Sequence, residues 1–245
     1  MRNVRFTNAE GLQLAGVLHP SPSDTVLVMS HGFTGDKDEW GFFERVAKDV
    51  CEAGFGVFRF DFAGCGQSTD YVLTLKQQSS DLSAAIAFVL QEGYTRVFLY
   101  GHSLGGYVSL LHHAQASGII ASAPVTTGVS DWSGKYSSEQ LAQFHEQGFL
   151  VKTRDKGVRK KIVISEQILR ERETVTQDFL AEISCPVLLI HGNKDESVLL
   201  ADSLNAITYL SDDSDLRILS GADHDFMGFW PDISALVIEW IQKHS

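Results

Sequence analysis

The stretch Arg96-Val97-Phe98-Leu99-Tyr100-Gly101-His102-Ser103-Leu104-Gly105-Gly106 decides the fold. Residues 96–100 form a short run dominated by bulky apolar side chains, the pattern of a strand covered on both faces. Residues 104–116 read as a helix. Between them, Gly101-His102-Ser103-Leu104-Gly105 fits the spacing G-x-S-x-G, in the strand-turn-helix context that this spacing requires. So sharp a turn needs small neighbours, which Gly101 and Gly105 supply. It sets the Ser103 hydroxyl at the start of a helix, where unpaired N–H groups favour developing negative charge. Ser103 is the candidate nucleophile.

Outward from this turn the chain alternates. Strands are expected at 4–7, 12–18, 25–30, 56–61, 119–123, 186–191 and 215–219. Helices are expected at 39–53, 76–91, 197–209 and 233–243. Short apolar strands alternating with helices predict an α/β fold, with a mainly parallel sheet of eight strands and helices on both faces. Residues 124–182 break the rhythm. The segment is polar, helix-leaning and too long for a simple connection. It reads as an inserted helical lid, dividing a core of residues 1–123 and 183–245. Within it, residues 151–172 hold Lys152, Arg154, Lys156, Arg159, Lys160, Lys161, Arg170 and Arg172 against three acidic residues, a balance of +5 in a chain of net −11. Such a run is either a solvated helix face or a surface that attracts an anionic substrate, partner or lipid.

A serine hydroxyl needs a base to take its proton. Of nine histidines, His224 lies in the loop Gly221-Ala222-Asp223-His224-Asp225, between the last strand and the last helix. Loops that follow parallel strands gather at one edge of the sheet, where sites form. His224 is the candidate base. His31 and His191 end strands and precede glycines, a position suited to bracing loops, and His19 reads as the start of a loop. The orienting carboxylate is assigned to Asp195 in His191-Gly192-Asn193-Lys194-Asp195-Glu196. Asp195 also reads as an N-cap for a helix starting near 197, and Glu196 competes for the role. For the oxyanion, the segment Ser30-His31-Gly32-Phe33-Thr34-Gly35 offers backbone donors; the expected pair is the amides of Phe33 and Leu104. Asp61 reads as a structural brace, and Cys65 as a thiol near enough to the site to meet thiol reagents.

These motifs, taken in the order Ser103, Asp195, His224, make the chain resemble an α/β-hydrolase. More narrowly, HGFTGDKDEW (31–40), RFDFAGCGQS (59–68) and GHSLGG (101–106) are similar to bacterial carboxylesterases of the cinnamoyl/feruloyl esterase type and to their serine-aminopeptidase-like and monoacylglycerol-lipase-like relatives. The resemblance implies a short helical cap after the sixth strand and hydrolysis of a small-molecule ester through an acyl-enzyme. An acyl-CoA thioesterase or a monoacylglycerol lipase would use the same residues. A non-catalytic ligand binder on a hydrolase scaffold is the alternative of a different class. Two positions depart from the family pattern: Cys65 where histidine is frequent, and Leu104 where glutamine or methionine is common.

The remaining features narrow the class. At 245 residues, 44% apolar and 21% charged, the chain has material for a large core. Its acidity argues against a nucleic-acid partner. Three cysteines imply no disulfide framework and favour a reducing, cytoplasmic setting. The sequence contains no apolar run of membrane-spanning length, so stable membrane insertion is not expected. No cofactor or metal is implied, since HExxH, CxxC and Gly-Lys-Ser/Thr patterns are missing. The sequence leaves the oligomeric state open.

Overall fold

The computed structural model describes residues 1–129, 131–154 and 158–245. In chain order its elements are β1 (Arg2–Thr7), β2 (Gln13–His19), β3 (Thr25–Ser30), α1 (Phe42–Glu52), β4 (Gly56–Phe60), β5 (Val72–Leu73), α2 (Leu75–Gln91), β6 (Arg96–His102), α3 (Leu104–Leu110), β7 (Gly118–Ser122), α4 (Ser138–Gln147), β8 (Phe149–Thr153), β9 (Lys161–Ser165), α5 (Glu166–Glu173), β10 (Val187–Gly192), α6 (Leu200–Ala206), β11 (Asp215–Leu219) and α7 (Trp230–His244). Eight strands form one sheet in the order β1-β2-β4-β3-β6-β7-β10-β11. β1, β2 and β4 pair antiparallel, and every later pairing is parallel. The expected mainly parallel α/β architecture is the one observed.

Side-chain alternation along the central strands builds two apolar layers. Val26 and Val28 of β3, Val97 and Leu99 of β6, and Val187 and Leu189 of β10 face one side, against α2 and α3. Leu27 and Met29, Phe98 and Tyr100, and Leu188 and Ile190 face the other, against α1 and α7. All six residues of β3 are buried, which explains why its sequence runs apolar without a polar face.

Register then brings the strand ends together. Ser30 of β3 pairs with Gly101 of β6, His102 of β6 with Ser122 of β7, and Ile190 of β10 with Ser122. The loops after β3, β6, β10 and β11 therefore leave the sheet at one edge.

Three expectations about single elements are corrected. The helix expected over 39–53 begins as a 3-10 turn at Glu39–Gly41 in which Trp40 has a φ of 58°, and α1 starts only at Phe42. The helix expected at 197–209 starts only at Leu200, because residues 195–198 form a turn built on Asp195, and after Ala206 it continues as a 3-10 turn over Ile207–Tyr209. His19 closes β2 and does not open a loop.

The segment 124–182 is not wholly helical. Beside α4 and α5 it contains β8 and β9, paired antiparallel from Phe149↔Ser165 to Thr153↔Lys161. β9 also pairs in parallel with β5, through Val72↔Val163 and Leu73↔Ile164. Leu150, Ile162 and Ile164 turn inward and join the first apolar layer, while the alternate residues of β8 are exposed. Lys156 of the basic run lies outside the described residues. Among the described residues, no helix is long and apolar enough to cross a membrane.

Candidate active site

Ser103 occupies the turn between β6 and α3 with φ 53° and ψ −118°, a conformation that L-residues rarely adopt. The glycines around it are required by space. A Cβ on Gly101 would lie 2.3 Å from the Gly105 carbonyl oxygen, and one on Gly105 would lie 2.2 Å from that of Ser30. The Ser103 N–H donates to the Ser122 carbonyl at 2.9 Å, which ties the turn to β7. Thr34, Glu39, Trp40, Ala123 and Phe226 also have positive φ, and all follow strands at this same edge. Backbone strain concentrated at one place is a usual mark of a functional site.

The loops carrying the other two candidates are bound to each other. β10 and β11 are neighbours, the Lys194 N–H donates to the Ala222 carbonyl at 2.9 Å, and the Gly221 N–H donates to Asn193 Oδ1 at 2.7 Å. Asp195 and His224 consequently face one another. His224 Nδ1 lies 2.7 Å from Asp195 Oδ2, and His224 Nε2 lies 3.0 Å from Ser103 Oγ. With a proton on Nδ1 donated to the carboxylate, Nε2 accepts from the Ser103 hydroxyl.

Asp195 serves two purposes with its two oxygens. Oδ1 accepts the N–H groups of Ser197 and Val198 at 2.8 and 2.9 Å, so it braces a turn and does not cap α6. Oδ2 faces His224, and His191 Nε2 lies 3.3 Å from the same oxygen. Burial by itself would raise the Asp195 carboxyl. The hydrogen bonds from His191, His224 and the Val198 N–H outweigh it and hold the group well below the usual carboxylate range. Glu196, the competing acid, is exposed.

Phe33 and Leu104 line the same pocket as Ser103 and His224. Leu104 is the first residue of α3, so its N–H has no acceptor within the helix. The Phe33 N–H has no acceptor among the described residues.

The loop that carries Phe33 is held by a residue that sequence reasoning missed. Glu39 is buried, its Oε1 accepts the Gly32 N–H, and it fills the space beside Gly35. Burial raises its carboxyl to about 8, with Asp36 and Asp225 adding to the rise, against the Gly32 hydrogen bond and the Arg154 charge. A lone glutamate at the head of an expected helix carries no pattern to betray this contact.

The other singled-out residues fall into bracing roles or out of reach. His31 accepts the Phe62 N–H at Nε2, 3.1 Å away, and Asp61 accepts from the Lys37 N–H, Lys37 Nζ and the Gln67 N–H. His102 hydrogen-bonds Ser122 Oγ at 3.1 Å, and its ring centroid lies 5.0 Å from that of His224. Burial lowers His102 to about 3, so it stays neutral beside His224. Cys65 is fully buried, and burial drives its thiol far above the ordinary range. The expectation that it meets thiol reagents is therefore corrected, because neither access nor a thiolate is present.

A pocket with an empty volume of about 530 Å³ opens onto Ser103 and His224. Its body is apolar, from Val125, Trp132, Tyr136, Ile168 and Leu169, with Lys135 and Arg172 as its two cations. Such a pocket takes a small organic molecule with an apolar or aromatic portion.

Residues 26–233 match the model of the alpha/beta hydrolase family. The chain belongs to that family. It is 23% identical to the caffeoylshikimate esterase of Arabidopsis thaliana, across 88% of this chain and 76% of that one. Among solved structures, the alpha/beta hydrolase GrgF from Penicillium sp. sh18 superposes with a TM-score of 0.83 at 22% identity, covering 99% of this hydrolase and 98% of GrgF. Est1E from Butyrivibrio proteoclasticus, solved with ferulic acid bound, gives 0.80 at 20% identity over 98% and 99% of the two chains. The hydrolase thus shares its fold with GrgF and Est1E along nearly its whole length.

Proposed function

We propose that this hydrolase is a serine carboxylesterase that cleaves an ester of a small to medium acyl or aromatic acid. The observation that carries the reading is the position of His224, within hydrogen-bond reach of both Ser103 Oγ and Asp195 Oδ2 at the mouth of an apolar pocket.

In this reading His224 Nε2 takes the Ser103 proton as Oγ attacks the ester carbonyl carbon. The carbonyl oxygen becomes an oxyanion held by the N–H groups of Phe33 and Leu104, each such donor contributing about 2.7–4 kcal/mol to the transition state. Asp195 keeps the ring oriented and stabilises the imidazolium. The C–O bond to the alcohol breaks, and the alcohol leaves with the proton from His224. Water then repeats the sequence on the acyl-enzyme, which releases the acid and restores the serine. The segment 124–182 supplies most of the apolar body of the pocket and acts as the lid over it. A thioester or a monoacylglycerol would follow the same steps, so the substrate class is decided by a panel of esters, thioesters and anilides, hydroxycinnamate esters included.

A fluorophosphonate probe tests the assignment. It is expected to label Ser103 and to leave Ser103→Ala unlabelled, with turnover of p-nitrophenyl butyrate falling by roughly 10⁶-fold in that variant. Turnover that survives in Ser103→Ala would overturn the reading, and an unlabelled wild-type protein would favour the non-catalytic binder.

A further inference from the structure

Two cations, Arg172 and the exposed Lys135, line the pocket that holds Ser103, and among the described residues neither forms an ion pair, although the Asp202 charge favours Arg172 and the Asp195 charge favours Lys135 from a distance. The Arg172 side chain, at the end of α5, makes one long hydrogen bond among the described residues, from Nη2 to the Thr127 carbonyl at 3.4 Å, and its buried Nε has no partner among them. Lys135 lines this pocket and also the adjoining clefts on either side of it, one bounded by Trp40 and Arg154 and the other by Asp202. Among the described residues neither cation has a carboxylate within ion-pair distance. The two carboxylates whose charges reach these cations make their own close contacts with other groups: Asp195 with His224 and His191, Asp202 with the Thr127 hydroxyl at 3.1 Å. Both cations line the same pocket; partial desolvation and then the Arg172 charge lower the Lys135 ammonium, with the Asp195 charge opposing them.

The basic run visible in the sequence is largely a different feature. Arg159 pairs with Asp70 and Arg170 with Glu166, while Arg154 lies over the Trp40 ring, 4.6 Å from its centroid. A partly buried guanidinium with an unfilled N–H, next to an ammonium and facing an otherwise apolar cavity, costs stability unless an anion completes it.

We propose that the pocket selects esters whose pocket-filling part carries an anionic group, a carboxylate or a phosphate monoester, bound between Arg172 and Lys135. The apolar side chains take the body of that part. This inference rests on Ser103 being the nucleophile, and its test separates the two.

The test compares kcat/KM within matched pairs. One pair puts the charge on the acyl part (mono-p-nitrophenyl glutarate against p-nitrophenyl valerate). A second puts it on the alcohol part (4-acetoxybenzoate against phenyl acetate). A third uses 4-acetoxyphenyl phosphate against phenyl acetate and distinguishes phosphate from carboxylate. In the wild-type protein at least one anionic ester is expected to exceed its neutral partner. That ratio is expected to fall at least tenfold in Arg172→Met and in Lys135→Met, and to be largely kept in Arg172→Lys. A merely structural role would lower both members of a pair and leave the ratio in place. An unmoved ratio in both methionine variants overturns the proposal, and Lys135→Met preserves the test if Arg172→Met fails to fold.

Calorimetric titration of monomethyl glutarate and dimethyl glutarate into Ser103→Ala reads the anion site without catalysis. Tighter binding of the monoester, lost in Ser103→Ala/Lys135→Met, sustains the anion site between Arg172 and Lys135 even if fluorophosphonate labelling fails and overturns the nucleophile. Equal binding of the two removes it even if labelling succeeds.

Discussion

Asp195 shows how one side chain can carry two demands. Its Oδ1 holds the turn at residues 195–198 and its Oδ2 faces the imidazole of His224. Asp195→Asn preserves the shape but allows an amide N–H to face Nδ1, which favours the wrong imidazole tautomer. A drop in kcat on the order of 10⁴ is expected, with the substrate affinity little changed, as read by steady-state kinetics on p-nitrophenyl butyrate. Glu39 presents the opposite electrostatic case. Folding keeps a proton on its carboxyl that the unfolded chain releases above its ordinary value of 4.5. Its contribution to stability is therefore complete below that value and declines as pH rises, until it is exhausted above about 8. Burial does most to set where the window ends; the Gly32 hydrogen bond and the Arg154 charge pull that end down, and the Asp36 and Asp225 charges push it up. Glu39→Gln keeps an acceptor for the Gly32 N–H and has no proton to lose. Guanidinium unfolding at pH 5, 6.5 and 8 is expected to show a flatter stability profile in the variant; parallel profiles would show that Glu39 ionises in the folded protein as it does in the unfolded one.

At the scale of elements, β6, the turn at Ser103 and α3 were legible because three independent demands coincide there: an apolar strand, small residues at the turn, and a helix start. The pairing of Asp195 with His224 was legible in outline, since both loops follow strands that become neighbours. β8 and β9 were not. β8 is exposed at all positions except Leu150, and its polar residues Lys152 and Thr153 together with the basic run hide a half-buried hairpin inside what reads as helix. The Lys161–Ser165 strand, rich in β-branched residues, was the signal that could have revealed it. Glu39 was invisible for another reason: its role depends on a left-handed turn that no local residue preference demands. The hairpin is fastened to the core by Arg159, whose side chain donates to the carbonyls of Gly66 and Ser68 and pairs with Asp70. Arg159→Ala removes this strap and leaves the strand pairing with β5 intact. Limited proteolysis is expected to cut the variant faster between residues 149 and 165, with the melting temperature shifted by only a few degrees. Equal cleavage rates would show that Arg159 does not fasten the hairpin and would leave the β5 pairing, the Arg154 contacts with Thr34 and Trp40 and the Ser165 hydroxyl bond to Leu73 to hold it.

For the whole molecule, the sheet acts as a partition. Ile86 on α2 belongs to the apolar layer on one side, and Ile241 on α7 belongs to the layer on the other. Both are buried, and each loses a methylene's worth of packing in a change to valine, at a cost of about 0.5–1.5 kcal/mol. Close-packed layers transmit strain to their own neighbours, but the two layers share no side chain across the hydrogen-bonded strands. The costs of Ile86→Val and Ile241→Val are therefore expected to add in the double variant to within about 0.3–0.5 kcal/mol. Residues that share a layer provide the contrast. Val237 and Ile241 lie four apart on α7 and face the same layer, so Val237→Ala combined with Ile241→Val should depart from additivity as the helix settles into the combined space. Urea unfolding of the single and double variants measures both cycles. A coupling across the sheet as large as the one within α7 would mean that the strands yield, and that the edge carrying Ser103, Asp195 and His224 is held by the two layers together and not by each alone.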